Sequence, residues 1–168
     1  ATLVLDDNKV WSFTPKINRV IRIPSSMMSQ SWMGSDFSNK DVSRTDEIVD
    51  SYTHKLVDTY RIDGHKDYVI ESIPNEESAI VWGKEISHIR DDYVELEHQF
   101  LDQEMKLVKV LKTLDIREMG GRMFAVRQQM RHHEKKDEWT EISVQVLDFD
   151  KKIPDYLFTL SNLRNPRE

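Results

Sequence analysis

The 168-residue chain has no cysteine, which excludes thiol catalysis, Cys-ligated zinc and a disulfide framework. It has no excess of positive charge either. Twenty-four Lys and Arg stand against 30 Asp and Glu, a formal net charge of −6. That balance argues against general affinity for nucleic acid or anionic membrane, both of which want a basic face. No apolar run is longer than four residues (79–82 and 123–126), far short of the roughly 20 that a membrane-spanning helix needs. The chain opens at Ala1 inside a strand pattern, without initiator Met or signal peptide, and reads as a processed or truncated product. No Gly-rich phosphate loop, G-x-S-x-G elbow or H-E-x-x-H pair occurs. Internal repeats, linkers and low-complexity tracts are also missing.

What remains is strand. Residues 3–5 and 10–14 flank Asp6-Asp7-Asn8-Lys9, a strand–turn–strand signature closed by Pro15, and residues 17–23 alternate again. Beyond position 51, runs at 52–62, 65–74, 79–90, 93–101, 105–118, 122–135 and 138–149 are divided by short turns. Two of these turns are Asp63-Gly64 and Gly120-Gly121, the dipeptides that two-residue hairpins demand. Strands at this spacing predict an antiparallel meander curling into a barrel or half-barrel. Val94, Leu96, His98 and Phe100 alternate with Tyr93, Glu95, Glu97 and Gln99, so one face reads dry and the other wet. Lys106, Lys109 and Lys112 put charge on both faces of one strand, which opposes a lipid-embedded barrel. Residues 153–158, Ile-Pro-Asp-Tyr-Leu-Phe, read as a turn or single helical turn that tucks Tyr156 and Phe158 against the sheet. The length fits one domain, about 100–200 residues being usual.

Few side chains suggest chemistry. His132 and His133 point to opposite faces of a strand and cannot chelate one ion together, and the other histidines are scattered, so no metal site is expected. Glu95 and Glu97 share the face opposite the apolar one and read as solvated surface. Ser35 follows a glycine but lacks a strand-to-helix elbow, which leaves a hydrolase as a weak rival. Lys16, Arg19 and Arg22 form a small basic patch, either a solubility and edge-protection device or a contact for an anionic headgroup.

The interval 24–51 is the one long stretch without strand pattern, and such connections are usually functional or disordered. Disorder does not suit Met27, Met28, Trp32, Met33 and Phe37, large apolar groups that water rejects. They either complete the core or line and gate a cavity for acyl chains, a task that adaptable methionines suit. Within the loop, Gly34 is expected to supply a backbone conformation that a side chain hinders. Asp36 is expected to anchor the loop through backbone N–H groups. Ser38, with an acid three residues on, starts a short helix over residues 39–49.

Val10-Trp11-Ser12-Phe13-Thr14-Pro15, then Asn18-Arg19-Val20-Ile21-Arg22-Ile23, then Trp32-Met33-Gly34-Ser35-Asp36-Phe37 with Asp41-Val42 resemble the outer-membrane lipoprotein-sorting protein family. The match extends to residues 153–158 with Leu160 and Leu163. The resemblance implies a mainly β, LolA/LolB-like fold: a strongly curved, unclosed antiparallel half-barrel whose concave face is covered by a long loop and a short helix. It implies one domain over residues 1–168, lacking the family's N-terminal strands and helix. It further implies a non-enzymatic periplasmic carrier in a Gram-negative bacterium, binding lipoprotein acyl chains or lipid for sorting to the outer membrane, without cofactor or metal. Partners implied are an inner-membrane transporter and an outer-membrane acceptor. Trp11, Phe13, Met27, Met28, Trp32, Met33 and Phe37 are the expected cavity or gate residues. The strand over residues 3–5 is left as an edge that invites homodimer formation. The rival reading is a non-enzymatic β-sheet adaptor with a filled core, docking a lipid exporter or envelope protein.

Overall fold

A computed structural model describes residues 1–5, 9–43, 47–78, 80–135 and 137–166. The chain divides into two compact units, residues 1–45 with 150–168, and residues 46–149. No helix among the described residues is long and apolar enough to cross a membrane.

The first unit is built on a three-stranded antiparallel sheet, β1 (Thr2–Leu5), β2 (Lys9–Thr14) and β3 (Arg19–Arg22), in the order β1-β2-β3. The expected turn over residues 6–8 lies outside the described residues. The run 17–23 is not one strand. Pro15–Ile17 is a 3-10 turn that ends on Asn18 in the left-handed region (φ 49°), and β3 starts only afterwards. Proline at the first position presets the turn, and Asn tolerates left-handed backbone better than most residues. Helix α1 (Asn39–Ser43) follows the long loop. A terminal helix, labelled α3 (Leu160–Arg164), is capped by Thr159, whose Oγ1 accepts from the Asn162 N–H at 3.2 Å. Among the described residues, Leu3, Val10, Phe37 and Leu163 are the buried apolar ones of this unit.

The second unit opens with α2 (Glu47–Asp50) and continues as a seven-stranded, unclosed antiparallel sheet. Its strands are β4 (Tyr52–Ile62), β5 (His65–Pro74), β6 (Lys84–Arg90), β7 (Glu95–Leu101), β8 (Leu107–Met119), β9 (Arg122–His132) and β10 (Thr140–Ser143). They follow one another as a meander, which is why every neighbour in the sheet is also a neighbour in sequence. The helix expected over 39–49 is found as two pieces, α1 and α2, with residues 44–46 outside the described set. Turn chemistry explains the hairpins. Asp63 and Gly64 (φ 50° and 84°), and Gly120 and Gly121 (φ 59° and 77°), hold the paired positive φ that tight hairpins need. Between β6 and β7 the turn is one residue longer than Asp91-Asp92. Tyr93 takes the left-handed position (φ 69°), and the Arg90 carbonyl accepts from its N–H at 2.8 Å.

Register shifts interrupt the β4–β5, β6–β7, β7–β8 and β8–β9 ladders. Each extra residue bends its strand and raises the local twist, the usual means of curving a sheet. The run 138–149 shortens to β10, and 79–90 shortens to β6. Strand β1 has no exposed residue, whereas β4, an edge of the large sheet, is exposed at every position after Tyr52.

Candidate functional site

In the first unit the Met/Trp/Phe loop is tied to itself by backbone bonds. The Phe37 carbonyl accepts from the Trp32 N–H at 2.7 Å, and the Gln30 and Met28 carbonyls accept from the Asn39 and Lys40 N–H groups at 3.0 and 2.8 Å. Met33 and Gly34 (φ 54° and 78°) form the turn at its tip, closed by the Ser35 N–H on the Trp32 carbonyl at 3.0 Å. Gly34 would meet nothing within 4 Å if it carried a Cβ, so its value is conformational. Ser35 Oγ donates to the Trp32 carbonyl at 2.6 Å. Asp36 is half-buried. The capping interaction belongs to Asp41, whose Oδ2 accepts from the Ser38 N–H and Oγ at 2.7 and 2.8 Å, while Ser38 Oγ accepts from the Asp41 N–H at 3.1 Å. Asp41→Ala is expected to cost about 1 kcal/mol and lower Tm by about 2–4 °C, read by thermal melting.

The apolar residues of this loop have different fates. Phe37 is buried, Met28 and Trp32 are half-buried, and Met27 and Met33 are exposed, Met33 at 74%. The Trp32 indole N–H donates to Thr2 Oγ1 at 3.0 Å. Trp11 and Phe13 are half-buried two apart on β2, where Trp11 lies opposite Leu3 and Arg22. Directly opposed residues project to the same side of an antiparallel sheet. Thr2 is paired with Ser12, so the anchor of Trp32 is on the side away from Trp11 and Phe13. The seven aromatic and methionine candidates are therefore not one cluster. The Trp11 Nε1 is buried and has no hydrogen-bond partner among the described residues.

The second unit holds a site that periodicity did not bring out. The ladders align Ser72 with Glu85, Glu85 with Phe100, Ser87 with His98, and Phe100 with Lys109, all on one side of the sheet. Every one of these residues is buried, Glu85 at 0%, Lys109 at 2% and His98 at 6% exposure. Tyr52 donates its hydroxyl to Glu85 Oε1. Glu85 Oε2 meets His98 Nε2 at 2.6 Å, and Glu95 Oε1 meets His98 Nδ1 at 2.7 Å. Lys109 Nζ lies 4.6 Å from the centre of the Phe100 ring and 5.2 Å from that of Trp82, within cation–π range. The expectation of a dry face is thus corrected: its centre is a paired, charged network. A sparse signal was present, since Lys109 falls in phase with Leu107 and Leu111, where apolar residues belong.

Glu95 is the second correction. It was expected on the solvated face with Glu97. The β6–β7 register shift, in which Ile89 opposes Glu95 and His88 opposes Glu97, turns Glu95 to the side of Ser87 and His98. A bulge re-aims one side chain in this way, and the alternation of residues gives no warning of it.

Burial alone lowers the basicity of His98, but the hydrogen bonds and charges of Glu85 and Glu95 outweigh it and raise the pKa to about 9. The imidazole is accordingly a cation at neutral pH, held between two carboxylates. On the opposite side of the sheet, Asp67 Oδ2 meets His88 Nδ1 at 2.9 Å and Glu71 meets Lys84 at 2.6 Å. Among the described residues, His65, Asp91 and Asp92 bring three ligand-type atoms within 4.8 Å of one another. Asp91 accepts there from the Lys66 N–H at 3.1 Å and pairs with His65 at 2.7 Å, and Arg90 donates to Asp92. The cluster is a turn-stabilising ion network at the β6–β7 hairpin.

By its likeness to solved structures, the unclosed antiparallel sheet belongs to the LolA-like fold. It is shared with a solved putative outer membrane lipoprotein-sorting protein domain from Vibrio parahaemolyticus, at TM-score 0.82 and 23% identity over 96% of this chain and 68% of that one. A LolA superfamily protein from Nitrosomonas europaea matches at TM-score 0.64 and 20% identity, covering 91% of this chain and 67% of that one. A DUF1329 family protein from Desulfovibrio piger matches at TM-score 0.84 and 25% identity, covering 97% and 68%. A comparison with curated proteins gives no match. A family model described as "Uncharacterized protein" matches residues 1–165, and the chain belongs to that family.

Proposed function

We propose that this protein is a non-catalytic carrier of lipoprotein acyl chains or lipid in the bacterial periplasm, serving sorting to the outer membrane. The observation that carries the reading is the fold shared with the lipoprotein-sorting domain of Vibrio parahaemolyticus. The driving force is the removal of acyl surface from water, at about 25 cal/mol per Å². Trp11, Phe13, Met27, Met28, Trp32, Met33 and Phe37 are the proposed contacts and gate. An inner-membrane transporter and an outer-membrane acceptor are the proposed partners in transfer.

Native mass spectrometry of the purified protein tests the reading. Co-purifying lipid, or uptake of a fluorescent fatty acid that weakens on Trp32→Ala and Phe37→Ala, is the expected result. A lipid-free protein that takes up no acyl probe overturns it. That outcome supports the second reading, an adaptor with a filled core that docks a lipid exporter or envelope protein. One observation favours it: the buried side of the large sheet is occupied at its centre by Glu85, His98 and Lys109.

A further inference from the structure

The net charge of −6 hides an opposition within the chain. The first unit, residues 1–45 and 150–168, has ten Lys and Arg against seven Asp and Glu, a formal +3. The second unit, residues 46–149, has fourteen against twenty-three, a formal −9. Much of the surplus positive charge is concentrated in one short stretch around β3. Lys16, Ile17, Arg19, Ile21 and Arg22 are all exposed there, Ile17 at 56% and Ile21 at 45%. Strand β3 is also an outer strand of its three-stranded sheet.

Several cations of the large sheet are neutralised by neighbours. In the second unit Lys84 pairs with Glu71, Arg90 with Asp92, Arg117 with Asp115 and Arg127 with Glu141. Lys16, Arg19 and Arg22 make no ion pair among the described residues. Arg19 and Ile21 project to one side of the sheet and Arg22, opposite Trp11, to the other, so cations flank exposed isoleucine along the free edge of the outer strand. The boundary of an anionic bilayer satisfies both groups together, because isoleucine enters the acyl border while Lys and Arg extend to the phosphates.

We infer that the Lys16–Arg22 edge docks this protein on an anionic lipid surface. The overall negative charge opposes general membrane affinity, so the attraction is local to this edge and screened by salt. The inference does not rest on acyl-chain carriage, since a surface contact needs no cavity.

Co-sedimentation with vesicles of equimolar phosphatidylglycerol and phosphatidylcholine tests it, with pure phosphatidylcholine vesicles as the reference. Binding to the anionic vesicles alone is expected, weakened by high salt. Each cation near the surface is worth about fivefold, so R19Q/R22Q should reduce partitioning by about 25-fold. I17S/I21S should reduce it as well, while both variants keep the wild-type far-ultraviolet circular dichroism. Equal binding to the two vesicle types, unchanged binding by R19Q/R22Q, or no binding by the folded wild type overturns the inference. Uptake of the fluorescent fatty acid, measured on the same variants, separates this failure from that of the carrier reading.

Discussion

Glu85→Ala is expected to destabilise the protein by about 3–5 kcal/mol, the scale for removing one member of a buried ion pair. Glu85 is fully buried and accepts from the Tyr52 hydroxyl through one oxygen while pairing with His98 through the other. Its loss leaves a buried imidazolium with the half-exposed Glu95 and strands the phenol. Urea unfolding monitored by tryptophan fluorescence reads the shift in midpoint. The double replacement Glu85→Leu with His98→Leu should cost markedly less than Glu85→Ala, because it removes both charges together. Equal losses for the two variants would refute the pairing.

The same network sets a pH dependence whose sign follows from linkage. The folded pKa of His98 is about 9, above the ordinary value of 6.5. Proton binding therefore favours the native state. The contribution is complete below about pH 6.5 and is lost as pH rises through 9. It amounts to on the order of 3 kcal/mol. The unfolding free energy of wild type relative to His98→Gln should accordingly shrink between pH 6.5 and about 10. A pH-independent difference would mean that the imidazole is not held as a cation.

Gly83→Ala is the second large effect, expected at about 3 kcal/mol. Gly83 is buried and donates its N–H to the Leu101 carbonyl at 3.0 Å. A Cβ there would lie 2.3 Å from the Asp102 carbonyl oxygen and 2.9 Å from the Gln103 Cα, both backbone atoms. Gln103 also clamps this segment, its Nε2 donating to the Val81 and Trp82 carbonyls at 3.2 and 3.1 Å. No side chain can swing away, so the chain must shift. Gly34→Ala is the informative contrast: open space surrounds it, and only its positive φ resists, at about 1 kcal/mol. Urea midpoints for the two variants should differ accordingly. A Gly83→Ala as mild as Gly34→Ala would show that the Asp102 approach is not rigid.

Much of the architecture was legible in residue order. Asp63-Gly64 and Gly120-Gly121 announce hairpins because paired positive φ excludes most other residues. Ser38 and Asp41 announce a helix start because their side chains satisfy N–H groups that the first turn leaves free. Trp32, Met33 and Phe37 marked the loop correctly as apolar, but their separate fates were illegible: Phe37 is buried while Met33 is exposed at a turn tip. Turn geometry, not hydrophobicity, decides that.

Alternation and turn chemistry, which act between near neighbours, were enough for the sequence alone to determine a mainly β, antiparallel meander. The resemblance to lipoprotein-sorting proteins rested instead on particular motifs, at residues 10–15, 18–23 and 32–37. Only the tertiary structure decided that Glu85, Glu95, His98 and Lys109 meet within a buried face. That meeting depends on ladder register and on one extra residue at Leu96, and both are fixed by contacts between strands distant in the chain.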